Sequence, residues 1–167
     1  MKEKDLIRRL NWFYGLETTQ VENYLAQSRA VKDKYISIGL ERVAMIEEGH
    51  VDNIKMMIVG LGGKPSVASD VFFPVAGSAF GKVLSIPDIP GMMRANIRIE
   101  AMAVRDYQRL IDTLENEGKY DHLVQTLKYN LIDEDLHSAW FLEGIKYHES
   151  AAWPLSPQLF KEASKQN

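Results

Sequence analysis

Two short stretches of the chain carry residue types able to hold a metal ion. Glu47-Glu48-Gly49-His50 and Glu134-Asp135-Leu136-His137 are each a Glu-x-x-His inside a long segment free of proline. On a helix, positions i and i+3 share a face, so the carboxylate and the imidazole project to one spot. That donor pair suits iron, zinc or manganese. Each stretch also has a lone Glu upstream. Glu17 stands 30 positions before Glu47, and Glu100 stands 34 before Glu134. Six ligands in two similar halves form the pattern of a di-metal carboxylate site in a four-helix bundle.

Such a site needs four helices to position it. Apolar residues at steps of three and four predict helices over 5–29, 32–60, 91–116 and 119–148. In the first, Ile7, Leu10, Tyr14, Glu17, Val21, Tyr24 and Leu25 form the expected inward face. A carboxylate on that face is costly to bury unless paired or bound to metal; for a lone instance, the alternative is a rim position. The second helix carries Ile36, Leu40, Val43, Ala44, Glu47, His50, Ile54 and Ile58, with Tyr35 at its start. The third carries Ile97, Glu100, Ala101, Val104, Tyr107, Gln108, Ile111 and Leu114. The fourth carries Leu123, Leu127, Asn130, Glu134, His137, Phe141 and Ile145. Position 32 is the midpoint of Glu17 and Glu47, and position 117, beside Gly118, is the midpoint of Glu100 and Glu134. Two antiparallel hairpins turning there set their ligands level, about 22 Å along each axis from the turn. His122 and His148 lie away from this level, and His122 is expected to face solvent.

The halves repeat beyond the ligands. Glu17-x-x-x-Val21-x-x-Tyr24 is echoed by Glu100-x-x-x-Val104-x-x-Tyr107, at an offset of 83 residues, while Glu47 and Glu134 are 87 apart. This suggests two equivalent hairpins around a pseudo-two-fold axis passing between two metals, each with its own His. Tyr24 and Tyr107 are candidate catalytic residues, able to relay an electron or hydrogen-bond a carboxylate. The alternative is a buried tyrosine with a satisfied hydroxyl.

Residues 62–90 interrupt the pattern with Pro65, Pro74, Pro87 and Pro90 and with glycines. A connection this long in a compact domain usually has a purpose. Here it is expected to cross the whole bundle between helices 2 and 3. Phe72, Phe73, Val75, Phe80, Val83 and Leu84 must be covered by the bundle, a partner chain or a membrane surface. Only Lys82 adds positive charge within the stretch, so packing on protein in a homodimer is favoured over a membrane surface.

The totals fit one domain, residues 1–150, with a C-terminal tail over 151–167. Net charge is −3, with no basic stripe, so no nucleic-acid partner is expected. The chain has no cysteine, which excludes disulfides, iron–sulfur clusters and thiol catalysis. No signal-peptide core or membrane-length apolar run is present, and a cytoplasmic location is expected.

At this point the chain resembles the ferritin-like superfamily of di-iron carboxylate proteins over roughly residues 7–150. It is most similar to the demethoxyubiquinone hydroxylase family, with a rubrerythrin-like protein as the second choice. The resemblance rests on Glu17, Glu47-Glu48-Gly49-His50, the Val75–Gly81 stretch, Glu100 with Tyr107, and Glu134-Asp135-Leu136-His137. It implies two iron ions, with zinc or manganese as substitutes. It further implies Glu47 and Glu134 as bridging ligands, Glu17 and Glu100 as terminal ones, and one His for each metal. That family's glycine before the first Glu is Leu16 here, and its histidine before the helix-3 tyrosine is Asp106, so the metal site carries over and the quinone substrate does not. The implied activity is reduction of oxygen or peroxide with electrons from a separate donor, with hydroxylation of a quinone-like molecule as one use. The alternatives are a ferroxidase or iron-binding protein without an organic substrate, a rubrerythrin-like peroxide reductase, and a bundle that only binds metal.

Overall fold

The computed structural model describes residues 1–67 and 88–150. Among them are four α-helices and no strand: α1 Glu3–Ala30, α2 Lys34–Gly60, α3 Ile89–Glu117 and α4 Asp121–Ser150. α1 packs along α2 and α3 along α4, and the two hairpins meet where α2 faces α4. This is the expected all-α four-helix architecture. The crossover over 71–84 and the tail over 151–167 lie outside the described residues.

Local chemistry sets the helix ends. The Asp33 carboxylate accepts hydrogen bonds from the backbone N–H groups of Tyr35 (2.9 Å) and Ile36 (3.1 Å), capping α2. Asp88 does the same for α3 by accepting from Gly91 N–H at 2.6 Å. α3 therefore starts at Ile89, two residues before the expected 91, with Pro90 inside its first turn. Proline is tolerated there because the first N–H groups of a helix have no intrahelical partner. Gly118 closes α3 in the left-handed region, φ 61°.

The core divides into two apolar clusters with the polar layer between them. One holds Leu6, Leu10, Phe13, Ile58, Leu114 and Leu127; the other holds Tyr24, Ile36, Leu40, Met93 and Phe141. Each fully buried large apolar side chain contributes about 1.5–3 kcal/mol relative to exposure. Packing at both ends is thus what holds a carboxylate layer in the middle.

The inward face of α1 differs from the expected stripe. Leu10, Glu17 and Tyr24 are buried, but Ile7, Tyr14, Val21 and Leu25 are only half-buried, on the flanks. Gln20, Asn23, Gln27 and Ser28 are buried instead. Amides can occupy this face because Gln20 and Gln27 are hydrogen-bonded across the bundle. Gln27 and Asn96 exchange reciprocal bonds of 3.0 and 2.7 Å, and Gln20 serves two carboxylates described below. On the other helices Tyr35, Ala101 and Gln108, placed by periodicity on inward faces, are exposed.

Two helical glycines make opposite predictions. A Cβ on Gly39 would sit 2.0 Å from the Trp140 indole, whereas one on Gly144 would meet only the flexible end of Met93. Alanine in a helix gains roughly 0.5–1 kcal/mol over glycine, and overpacking costs about 1–3 kcal/mol. Gly39→Ala is expected to lower the urea midpoint, and Gly144→Ala to leave it near the parent value.

Candidate metal centre

All six expected ligands converge. Glu17, Glu47, Glu100 and Glu134 are fully buried, and His50 and His137 are 2% and 3% exposed. α1 contributes Glu17, α2 Glu47 and His50, α3 Glu100, and α4 Glu134 and His137. Ligand atoms of Glu17, Glu47, His50 and Glu134 lie within 4.8 Å of one another, and so do those of Glu47, Glu100, Glu134 and His137. Glu47 and Glu134 belong to both groups, and each group has its own His and its own further Glu. That is the geometry of two adjacent cation positions with two shared carboxylates. The two shared members are the residues that the resemblance implies as bridging ligands.

The imidazoles turn Nδ1 inward. His50 Nδ1 lies 2.8 Å from Glu47 Oε2, 3.3 Å from Glu134 Oε1 and 3.9 Å from Glu17 Oε2. His137 Nδ1 lies 3.2 Å from Glu47 Oε1. Despite these short separations, His50 Nδ1, His137 Nδ1, Glu17 Oε2, Glu47 Oε2 and both Glu134 oxygens make no aligned hydrogen bond. Donor atoms that crowd together without pairing are an arrangement that could hold a metal ion. No Lys or Arg among the described residues pairs with the four carboxylates, so their charge calls for compensation from bound cations.

The two tyrosines are completely buried, and each reaches across to the opposite hairpin. Tyr24 O–H donates to Glu100, and Tyr107 O–H donates to Glu17 at 2.5 Å. The expected tyrosine–carboxylate contacts are present, and they link α1 to α3. Gln20 Nε2 adds bonds to Glu47 Oε1 (3.2 Å) and Glu100 Oε2 (3.1 Å). These contacts orient the carboxylates of Glu17, Glu47 and Glu100.

The pseudo-symmetry breaks at the next shell of residues. His50 turns its outer nitrogen, Nε2, to Asp133 Oδ2 at 3.2 Å. Ile46, 87 positions before Asp133, occupies the matching place on α2. His137 Nε2 is consequently buried without a partner. Likewise Asn130 Nδ2 donates to the Tyr107 oxygen at 3.1 Å, and Asn53 Nδ2 donates to Asn130 Oδ1 at 3.0 Å. Val43 stands where Asn130 would need a counterpart beside Tyr24.

Sequence reasoning missed Asp133 and Gln20 as parts of the site. Asp133 sits in an acidic run that hides it, although the residue before a ligand Glu on α4 faces α2. Gln20 lies one turn beyond Glu17, a spacing that pointed to it. His122 is exposed and His148 lies near the end of α4, both away from the cluster, as expected.

Protons compensate the cluster when metal does not. Burial first, then the charges of Glu47 and Glu17, push the Glu134 carboxyl up to about 8. Burial also raises Glu17, with Glu47 adding, and Glu100, with Glu134 adding. Burial works against charge on His50, but its contacts with Glu134 and Glu47 and the charge of Glu17 outweigh burial and push it up to about 12. Glu47 moves the other way. Burial is outweighed by His137 and His50, which hold it down to about 2. Burial and the facing carboxylates raise both tyrosine hydroxyls, so Tyr24 and Tyr107 stay protonated donors.

A pH dependence of stability follows for the metal-free protein. Raised folded-state values stabilise fully below the unfolded value, and that contribution is lost as pH climbs through the folded value. For Glu134 the loss runs from the unfolded value of 4.5 up to about 8, and for His50 from 6.5 up to about 12, so both are losing stability at neutral and mildly alkaline pH. The Glu47 contribution is present above its unfolded value and is lost as pH falls toward about 2. Metal-free protein is therefore expected to lose thermal stability between about pH 7 and about pH 9, by roughly 2–4 °C for each kcal/mol lost. Metal-loaded protein, whose carboxylates are ionised and compensated, is expected to hold its Tm over that range. Calorimetry on both forms checks it.

No family model matches the chain, and no curated protein matches it.

Proposed function

We propose that the chain is a di-iron oxidoreductase of the ferritin-like kind, acting on oxygen or peroxide. The observation that carries this reading is the pair of overlapping four-residue groups sharing Glu47 and Glu134. The donor set fits. Four carboxylates balance two divalent ions, and hard oxygen donors with one imidazole each suit iron and its oxidised form. Iron held by these residues would supply the redox chemistry.

The chain's own residues do the rest. Glu47 and Glu134 are placed to span both positions, while Glu17 and Glu100 each serve one. Tyr107 holds Glu17 through Oε1 and leaves Oε2 without a hydrogen bond, while Tyr24 and Gln20 hold the two oxygens of Glu100. Asp133 accepts from His50 Nε2–H and fixes the tautomer that leaves Nδ1 available as a ligand. The apolar clusters at both ends keep bulk water from the carboxylate layer. With no cysteine in the chain, the electrons come from a separate protein or a small molecule.

The test is anaerobic Fe(II) loading followed by addition of oxygen or of hydrogen peroxide, read by absorbance and by product analysis with candidate apolar substrates. Stoichiometric iron oxidation with turnover on a reductant supports the reading. Iron that binds and does not react with either oxidant sinks it and leaves a bundle that only binds metal.

A further inference from the structure

We propose that the pocket between α2 and α4 beside His137 binds a small anionic aromatic molecule. The pocket has a volume of about 400 Å³, and His137, Ile46, Trp140 and Arg42 are among the residues lining it. Small-molecule sites fall in the range of roughly 300–1,000 Å³ and combine apolar walls with a few placed polar groups. This pocket has that composition, with room for two or three rings.

Three observations define the ligand. His137 is the polar part of the inner wall, and its buried Nε2 has no hydrogen-bond partner. The twin imidazole shows what is missing, because His50 Nε2 lies 3.2 Å from the Asp133 carboxylate. Ile46 stands where that carboxylate would be, so none of the described residues supplies an acceptor to His137 Nε2, and a ligand could. A buried polar group without a partner costs about 1–3 kcal/mol, which an acceptor on a ligand would recover. Arg42 is exposed on the same wall, and no carboxylate among the described residues pairs with it. An anionic group is therefore matched by a cation as well as by an N–H. Finally, the indole of Trp140 lies directly over Gly39, where the absent Cβ lets it approach. That places a large aromatic surface in the wall, with Ile38 and Leu136, 63% and 60% exposed, at the rim. A flat apolar body is the complement of such walls.

The proton on Nε2 rests on the metal reading, since a metal at Nδ1 leaves Nε2 as the donor. Occupancy would then reach the metal through the imidazole, as Asp133 does on the other side.

The probe is anilinonaphthalene sulfonate, titrated by fluorescence into the zinc-loaded and the metal-free full chain. One saturable site per chain is expected, weakened about tenfold by Arg42→Ala, the size of one charge-assisted hydrogen bond. Ile46→Asp, which supplies the missing carboxylate from within, is expected to weaken it at least as much. Tyr129→Ser, at an exposed position on α4 outside the pocket, is expected to leave it unchanged. Should Ile46→Asp fail to fold by circular dichroism, Ile38→Trp at the rim replaces it. Equal binding in the parent, Arg42→Ala and the second pocket variant overturns the proposal, as does equal loss in Tyr129→Ser. If the chain takes up no zinc yet binds the probe with the same Arg42 dependence, the metal reading fails and the pocket stands.

Discussion

Replacing Glu134 with Ala is expected to abolish binding of both metal ions, whereas replacing His137 with Ala is expected to leave one. The difference comes from the sharing of ligands. Glu134 has an oxygen in each of the two four-residue groups, and His137 belongs to one. Glu47→Ala should behave like Glu134→Ala, and His50→Ala like His137→Ala. Stability should move as well. Removing a carboxylate from a metal-free cluster relieves repulsion among buried charges, so metal-free Glu134→Ala is expected to melt no lower than the metal-free parent. Metal-loaded parent protein should melt well above both, by an amount that grows with free metal concentration. Metal analysis after gel filtration, with calorimetry on the same samples, reads both effects. Two metals per chain in His50→Ala and in His137→Ala would show that the ligand assignment is wrong.

Asp133→Ala is expected to weaken one metal and spare the other. Asp133 touches His50 and not His137, and an outer partner of a ligating imidazole typically accounts for about 10–100-fold in affinity. The second position already works without such a partner, because Ile46 fills the matching place. The parent should thus show two unequal affinities, the His50 site being the tighter on this account. Asp133→Ala should bring them closer together. Titration with cobalt(II), followed by its visible absorption, resolves the two steps. An equal loss at both steps would mean that Asp133 acts on the whole bundle rather than through His50.

Much of this site was legible in the chain because helical geometry converts spacing into proximity. Glu47 with His50 and Glu134 with His137 need only one turn of helix to meet. Glu17 and Glu100 need only a turn at the midpoint of each hairpin, and the turns at 31–33 and 118–120 supply it. The helices were legible for the same reason, except at Pro90, where the position within the first turn decides whether proline breaks or begins a helix. Periodicity alone did not reveal the polar layer. Gln20, Gln27 and Asn96 are buried because each finds a partner on another helix, and partners across a bundle leave no mark on the spacing of one segment. The same holds for Tyr24 and Tyr107. Their repeat suggested a hydrogen bond to a carboxylate without saying which one. The hydroxyls cross between α1 and α3, because a tyrosine two turns from its own Glu is level with its counterpart's carboxylate. Asp133 and Ile46 show the limit most clearly. A repeat that matches at every ligand gives no warning of where its two halves diverge.

Among the described residues, no helix is long and apolar enough to cross a membrane. The site sits in the middle of the bundle, with an apolar cluster on either side. Its function therefore depends on what the carboxylate layer holds. The most direct test is anaerobic titration of the parent chain with Fe(II), followed by Mössbauer and electron paramagnetic resonance spectroscopy before and after oxidation. The account predicts two iron ions per chain and, once oxidised, a spin-coupled pair with no resonance from isolated ferric ions. One iron per chain, or two that remain magnetically independent, would contradict it.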